Sequence, residues 1–312
     1  MKILITGSTG YLGSTVVSIL KQDSSIKIFG IDIKSPERES SYELFIRGSV
    51  TDPKVMAKLF EEAKPDVAIH LAFVVNALHD ESKEDEIAIR GSLNFLECCK
   101  EHKVKKIIFM SSAAACGAHP DSQQPYTESS PVKGNKAYSY SRLKAETDRI
   151  AQKFMHDCPD SNFVILRPCL FVGPNTDNCF FEMLKFPLLP MIFEDGKTKD
   201  PDFQFIHELD MAKCIVAAIE KDVRGIFNIA GNGTLKYSDM ALIAGKRRIA
   251  LPFWLLYPAT TLLWKLHLIG SPPGQLDFIR YPWLMDNSKM KRELFIPEKT
   301  TEEAFREFID SR

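Results

Sequence analysis

The chain has 312 residues and a net charge of −1 at pH 7, with 45% hydrophobic and 26% charged residues. These values are typical of a globular protein and exclude both a disordered chain and a broadly basic nucleic-acid-binding protein. The seven cysteines are scattered and form no C-x-x-C pair, which predicts reduced thiols, a cytoplasmic location and no zinc or other metal site.

Short apolar runs alternate with segments of helical spacing in the first half of the chain. Strands are predicted at 2–6, 26–32, 42–48, 66–72, 105–112 and 162–168, and helices at 11–22, 52–63, 85–102 and 138–155. The strand runs are apolar on both faces, so we expect helices on both sides of the sheet. Repeated β-α-β units with right-handed crossovers predict an α/β fold with a doubly wound parallel sheet of Rossmann type. This dinucleotide-binding domain is predicted to span residues 1–168.

The pattern becomes irregular after Pro168, and residues 169–312 are predicted to form mainly a smaller, irregular substrate-binding lobe. Within it, the segment from about 203 to 231 contains a predicted helix at 209–221 and strand at 225–231. We expect this segment to add one or two strands to the main sheet.

Residues 249–312 read as short helices and turns, and they begin with the apolar segment 249–270. Prolines interrupt this segment and Lys265 ends its uncharged run, which favours a buried or substrate-covering helix over a transmembrane span. Peripheral contact with a membrane stays an open alternative.

Three glycines spaced three residues apart follow the first strand and enter the first helix. A glycine permits the tight turn, a second allows close approach of a pyrophosphate, and a third lets the helix pack against the sheet. The helix N-terminus attracts negative charge. The residues predicted to bind a dinucleotide in this turn are Gly7, Thr9, Gly10, Tyr11, Leu12 and Gly13.

Asp32 ends the second predicted strand, where a carboxylate can accept hydrogen bonds from the ribose of an adenosine. A carboxylate at this place would repel a 2′-phosphate, so NAD is favoured over NADP. Lys34 and Arg38 lie close by and moderate that preference.

Tyr140 and Lys144 are spaced i, i+4 in a predicted helix and therefore share one face. An ammonium near a phenol lowers the pKa of the phenol, which makes a general acid/base. Tyr138 has Arg142 four residues on and lacks this partner. Ser111 and Ser112 end the fifth strand, at the sheet edge where open α/β proteins bind ligands.

These motifs together resemble the extended branch of the short-chain dehydrogenase/reductases, which includes the NAD-dependent epimerase/dehydratase family. The matching segments are T-G-x-x-G-x-x-G at 6–13, the serine at 112, Y-x-x-x-K at 140–144, "RPCLFVGP" at 167–174 and "FIHELDMAKC" at 205–214. The resemblance covers essentially the whole chain. It implies an NAD-dependent oxidoreductase or epimerase that moves a hydride between a secondary alcohol or ketone and nicotinamide. Homodimers built from the helices after the fourth and fifth strands are a further implication.

The resemblance also implies roles for single residues. Tyr140 would be the catalytic acid/base and Lys144 would hold the nicotinamide ribose, with Ser112 orienting the reacting oxygen. Pro168 would lie against the nicotinamide, and Leu71 and Ala72 would line the cofactor channel. Many relatives have Asp where this chain has Ser49, and Asn where it has Ala88.

Two departures narrow the chemistry that the resemblance implies. Ala113 and Ala114 stand where sugar dehydratases of this branch have an Asp-Glu pair. Phe203 stands near the place where nucleotide-sugar enzymes often have a diphosphate-binding arginine. The arginines that could compensate are Arg247, Arg280 and Arg292.

Three functions remain as alternatives. The first is a dehydrogenase or epimerase for a small-molecule substrate. Segment 249–270 resembles the hydrophobic late segments of 3β-hydroxysteroid-dehydrogenase-like relatives, which implies a lipophilic or uncharged substrate unless the segment only forms the core of the small lobe. The second is a nucleotide-sugar 4-epimerase. The third is a regulator that senses NAD(P) without turnover, against which the intact Ser112, Tyr140 and Lys144 argue.

Overall fold

A seven-stranded parallel sheet forms the centre of the molecule. The computed structural model describes residues 1–176 and 178–312, apart from the side chain of Cys179. The strands are β1 (Lys2–Thr6), β2 (Lys27–Asp32), β3 (Leu44–Arg47), β4 (Val67–His70), β5 (Lys106–Met110), β6 (Asn162–Pro168), β7 (Leu170–Val172), β8 (Leu188–Glu194), β9 (Lys197–Thr198), β10 (Asp202–Phe203), β11 (Phe205–His207), β12 (Gly225–Ile229), β13 (Leu235–Lys236) and β14 (Arg247–Pro252).

The helices cover both faces of this sheet and continue into the second half of the chain. They are α1 (Tyr11–Leu20), α2 (Pro53–Ala63), α3 (Glu81–Asp85), α4 (Gly91–Glu101), α5 (Ser139–Asp157), α6 (Glu208–Glu220), α7 (Tyr237–Ile243), α8 (Phe253–Lys265) and α9 (Thr301–Asp310). A π-helical turn at Glu86–Arg90 joins α3 to α4, so the helix predicted at 85–102 is not regular throughout.

The strand order β12-β6-β5-β4-β1-β2-β3 confirms the doubly wound parallel sheet. The chain moves outward from β1 in one direction through β2 and β3, and then returns to β4 on the other side of β1. Thr6 therefore pairs with both Ile31 and His70. Ligands in open α/β sheets bind beyond the carboxyl ends of the strands at such a reversal. The glycine turn after β1 lies at this place.

The core lies on both faces of the sheet, as the apolar strand runs predict. Leu4 and Ile107 belong to one cluster of buried side chains, whereas Ile5 and Ile108 belong to the other. Helices α1 and α6 pack together on one side, and α2 and α4 pack together on the other.

The second half of the chain adds one strand to the main sheet, as predicted, and also forms strands outside the prediction. Of the segment 203–231, β12 joins the main sheet beside β6, whereas β10 and β11 form short pairs with β13 and β7. Strand β14 was not predicted, because 249–312 read as helices and turns. It pairs in parallel with β8, and β9 completes a three-stranded sheet.

Helix α8 covers part of the apolar segment 249–270. It has 13 residues with Pro258 inside, which gives it a length of about 20 Å at 1.5 Å per residue. Among the described residues, no helix has the length and apolar character that a bilayer crossing requires.

Candidate active site

A cleft of about 480 Å³ opens at the carboxyl edge of the main sheet. It extends from the glycine turn after β1 to the end of β5, the start of α5 and the second half of the chain. Every residue predicted to bind a cofactor or act in catalysis lines it: Gly7, Thr9, Gly10, Tyr11, Leu12, Gly13, Asp32, Leu71, Ala72, Ser112, Tyr140, Lys144 and Pro168. The fold thus brings together residues from six separate segments, while their individual roles stay predictions.

The glycine turn requires glycine at two of its positions for steric reasons. Gly7 has φ +69°, and a Cβ atom there would lie 2.7 Å from the backbone nitrogen of Ala72. A Cβ atom at Gly13 would lie 2.2 Å from the carbonyl oxygen of Gly7. Gly10 precedes α1 as its N-cap and offers no side chain to the first turn of the helix. The helix N-terminus therefore faces the cleft through backbone N–H groups, which fits a pyrophosphate.

Asp32 lies at the end of β2 beside this turn. Its Oδ2 accepts a hydrogen bond from the backbone of Thr9 at 3.1 Å, and its Oδ1 accepts one from the backbone of Lys34 at 3.1 Å. Each carboxylate oxygen can accept more than one hydrogen bond. The geometry fits a diol, such as the hydroxyl pair of a ribose, on the cleft side of the carboxylate. Lys34 also lines the cleft.

Among the charged side chains of the cleft, Lys144 has the most strongly shifted pKa. Its side chain is 3% exposed, and Nζ donates a 2.9 Å hydrogen bond to the carbonyl oxygen of Met110. Burial lowers the pKa of Lys144 to about 7, with the Asp148 carboxylate acting in the opposite direction. Nζ lies 5.9 Å from the centroid of the Tyr140 ring, one turn earlier on α5.

Phe73 is a cleft residue that the sequence analysis did not identify. Lys144 Nζ lies 3.7 Å from the centroid of its ring, and the ring packs edge-on against Tyr140 with 5.6 Å between centroids. Its position directly after Leu71 and Ala72 was the available signal. Phe73 thus contacts both the ammonium of Lys144 and the ring of Tyr140.

The two serines at the end of β5 have different partners. Ser111 Oγ donates to the buried carboxylate of Asp148, whereas Ser112 Oγ accepts a 3.1 Å hydrogen bond from the backbone of Ala114. An oxygen that accepts this bond still has its own proton to donate. Ser112 is therefore the serine that can donate a hydrogen bond to a ligand.

Asp148 anchors a buried ion pair beneath the cleft. Its carboxylate accepts two hydrogen bonds from Arg167, at 2.9 Å from Nε and 2.9 Å from Nη2. Both side chains are at most 1% exposed. Sequence reasoning missed this pair, because Asp148 occupies what reads as a polar position of an amphipathic helix. The pair links α5 to β6 and so positions Tyr140 and Lys144 relative to the sheet.

A second buried carboxylate, Glu208, lies beside Tyr11 of the glycine turn. The Tyr11 hydroxyl donates to its Oε2, and Asn175 Nδ2 donates to its Oε1 at 2.8 Å. Burial, reinforced by Glu208, raises the pKa of Tyr11 above its ordinary value. Tyr11 also stacks on Phe171, with 5.5 Å between ring centroids. This network joins the first turn of α1 to the second half of the chain.

The residues that the second half of the chain contributes to the cleft are mainly aromatic and apolar. They include Leu170, Phe171, Phe180, Phe278 and Trp283. Among the described residues that line the cleft, the basic side chains are Lys34 and Lys144, and there is no arginine. The arginines considered as compensating groups do not line it, and Arg280 forms an ion pair with Glu194.

The chain is similar to a protein family, to curated relatives and to solved structures. A model of the NAD dependent epimerase/dehydratase family matches residues 3–230. An uncharacterized protein of Mycobacterium tuberculosis is 24% identical over 99% of this chain and 84% of its own length. The UDP-glucose 4-epimerase of Halalkalibacterium halodurans is 29% identical over 75% of this chain and 76% of its own. The crystal structure of the Thermotoga maritima UDP-glucose 4-epimerase with UDP-glucose has a TM-score of 0.73 and 21% identity, covering 100% of this chain and 98% of that one.

Proposed function

The chain belongs to the NAD-dependent epimerase/dehydratase family, and we propose that it transfers a hydride between NAD and a secondary alcohol or ketone of largely apolar character. The observation that carries the proposal is the placement of Tyr140 and the buried Lys144 in one cleft with the glycine turn and Asp32. The glycine turn and Asp32 would bind the dinucleotide, and Tyr140 with Lys144 would act as the acid/base.

The proposed cofactor site uses the glycine turn for the pyrophosphate and Asp32 for the adenosine ribose. Bound NAD would supply the hydride acceptor or donor. The family name supports NAD, and so does the carboxylate of Asp32, which would repel a 2′-phosphate. Pro168, Leu71 and Ala72 would line the nicotinamide side of the site.

The proposed proton transfer uses Tyr140. In oxidation, Tyr140 takes the proton of the substrate hydroxyl while the hydride leaves the adjacent carbon. In reduction it returns a proton to the carbonyl oxygen. Lys144 in its charged form favours the phenolate, and Ser112 donates a hydrogen bond to the reacting oxygen. Re-reduction of a ketone intermediate on its other face would give epimerisation.

The proposal of an apolar substrate rests on the aromatic side chains that line the cleft, such as Phe180, Phe278 and Trp283. It also rests on the lack of a lining arginine among the described cleft residues. A diphosphate carries charge that an apolar wall would leave unpaired. The runner-up is a nucleotide-sugar 4-epimerase, and the similarity to UDP-glucose 4-epimerases supports it. A sensor that binds NAD(P) without turnover is the third candidate.

Nicotinamide fluorescence with two substrate panels tests the proposal. The protein is incubated with NAD or NADH and either hydrophobic secondary alcohols and ketones or UDP-sugars, with product analysis for epimers. Tyr140→Phe is expected to lower kcat by at least about a hundredfold and to leave NAD affinity unchanged. Tyr138→Phe is the matched control, because Tyr138 lines the same cleft while Arg142, four residues on, is bound to Asp85.

The outcomes separate the three candidates. Turnover of the apolar panel that is lost in Tyr140→Phe supports the proposal, and turnover of UDP-sugars alone replaces it with the epimerase. Tight NAD binding without turnover of either panel, together with cellular function that survives Tyr140→Phe, favours the sensor.

A further inference from the structure

Helix α8 turns an apolar face outward. The outward positions repeat at i, i+4 and i+8 and form one stripe, the α8 face: Trp254, Leu255, Pro258, Ala259, Leu262, Leu263 and, directly after the helix, Leu266. Trp254 is 76% exposed, Leu262 60% and Leu266 57%. The inward side includes Thr260, which is buried. The inward residues Phe253, Leu256 and Tyr257 pack against the core, so α8 is apolar on both sides and one of its apolar faces stays outward.

The chain around the α8 face is positively charged. Between Asp239 and Asp277 there is no acidic residue, whereas this stretch contains four cationic ones: Lys246, Arg247, Arg248 and Lys265. The first three stand before α8, on and next to β14, and the last ends the helix. Cations therefore flank both ends of the apolar stripe.

Glu194 and Glu182, on elements next to α8, are engaged with other partners, whereas the exposed Asp80 and Glu81 follow His79 beside the end of the helix. Glu194 on β8 is bound to Arg280, and Glu182 accepts a 2.7 Å hydrogen bond from the backbone of Gly270. Arg247 and Arg248 are exposed, and Arg247 lies beside the exposed Leu188 in the β14–β8 register. Cations and exposed apolar side chains thus lie next to each other on α8 and on the neighbouring three-stranded sheet of β14, β8 and β9.

We propose that the α8 face lies in the surface of an anionic membrane, with Trp254 and the leucines at the boundary of the acyl chains and the flanking cations on the lipid headgroups. An interfacial helix combines these features: an outward apolar stripe, a tryptophan, basic flanks and a length too short to span. Charge complementarity selects an anionic lipid surface as the occupant over a second copy of this chain, since two like-charged faces repel.

Helix α8 also contacts the surroundings of the cleft. Trp264 stacks on His79, with 3.4 Å between ring centroids, and His79 follows the loop that lines the cleft after β4. On its other side α8 packs against the segment Pro273–Ile279, which contributes Phe278 to the cleft. Docking would therefore bring the cleft near the lipid. Uptake of an apolar substrate from the bilayer follows from this placement, and that last step rests on the proposed function.

Vesicle flotation of the full-length protein tests the docking. The vesicles consist of phosphatidylcholine alone or of phosphatidylcholine mixed with phosphatidylglycerol. We expect binding to the anionic vesicles that weakens as salt is added. Neutralisation in Arg247→Gln/Arg248→Gln is expected to weaken binding by about fivefold per residue, and Trp254→Ser/Leu262→Ser by at least about tenfold.

Matched controls use exposed residues remote from α8. Ile296→Ser removes an apolar side chain that is 66% exposed, and Lys54→Gln/Lys58→Gln removes two exposed charges on α2. Both are expected to bind vesicles like the wild type. Tyr140→Phe should also bind like the wild type, which separates this inference from the proposed function.

Two results would overturn the inference. One is the absence of binding to anionic vesicles, or binding that the α8 variants leave intact. The other is a dimer, seen by analytical ultracentrifugation, that Trp254→Ser/Leu262→Ser dissociates while vesicles do not bind, because a second copy would then cover the α8 face.

Discussion

Ser111 Oγ donates a 2.5 Å hydrogen bond to Oδ2 of Asp148, and both side chains are buried. Asp148 also holds Arg167 through two hydrogen bonds. One carboxylate thus joins the end of β5, the middle of α5 and β6. Ser111 belongs to this hydrogen-bond network, whereas the Ser112 hydroxyl can donate to a ligand in the cleft.

Asp148→Asn is expected to lower the free energy of unfolding by about 3–5 kcal/mol, because it leaves the buried guanidinium of Arg167 without its counter-charge. Denaturant unfolding measures this loss. Asp157→Asn, at the exposed end of the same helix, is the control and should change stability by less than about 0.5 kcal/mol. Equal effects of the two substitutions would contradict the anchoring role of Asp148.

Lys144 is expected to make stability depend on pH. Its pKa is about 7 in the folded protein against an ordinary value of 10.5. Between these values the unfolded chain binds more protons, so the contribution of this group to stability rises with pH across that window. Below about pH 7 both states are protonated and the cost of the buried ammonium is fully present.

The comparison with Lys144→Met isolates this contribution. The free energy of unfolding of the wild type, relative to the variant, is expected to rise by about 1 kcal/mol per pH unit between about pH 7 and pH 9. Lys153→Met, which removes an exposed lysine of the same helix, should show no such slope. If the difference in free energy of unfolding between the wild type and Lys144→Met does not change with pH, Lys144 keeps an ordinary pKa.

Gly13→Ala and Gly10→Ala are expected to differ in how strongly they disturb the glycine turn. The added Cβ would lie 2.2 Å from the Gly7 carbonyl oxygen at position 13 but 3.3 Å from it at position 10. We expect Gly13→Ala to lose about 1–3 kcal/mol of stability through overpacking and to lose NAD binding. Gly10→Ala should be milder in both respects. Thermal unfolding and calorimetry check this order, and a reversed order would contradict the account of the turn.

Asp32→Asn removes the charge at the end of β2 and keeps one acceptor oxygen in place of the two that accept separately from the backbone of Thr9 and of Lys34. We expect the dissociation constant for NAD to rise about tenfold to a hundredfold and the preference over NADP to shrink. Asp23→Asn, an exposed acid before β2, is the control. Unchanged NAD affinity in Asp32→Asn would remove Asp32 from the site.

The main sheet could be predicted from the sequence because its signals are local. Runs such as 2–6 and 162–168 are apolar on both faces and are separated by helical spacing, and the glycine turn marks the carboxyl end of β1. The site residues that follow these strands, from Asp32 to Pro168, lie in one cleft because parallel strands end at one edge.

The features that the sequence did not predict depend on contacts between residues distant in sequence. Strand β14 forms by pairing with β8 some sixty residues earlier, and Arg247 and Arg248 at its start give no strand pattern. The burial of Asp148 and Glu208 could not be predicted, since their partners Arg167 and Tyr11 stand on other elements. The apolar segment 249–270 was expected to be buried or to cover substrate, but no local pattern shows which face of a helix lacks a partner.

Calorimetric titration of the cofactor-stripped protein with NAD and NADP, each oxidised and reduced, tests whether the cleft binds NAD. We expect NAD to bind at one site per chain, with a clear preference over NADP. A preference for NADP would transfer the role of Asp32 to Lys34 or Arg38. Binding of neither dinucleotide would contradict the assignment of the cleft and the hydride transfer that depends on it.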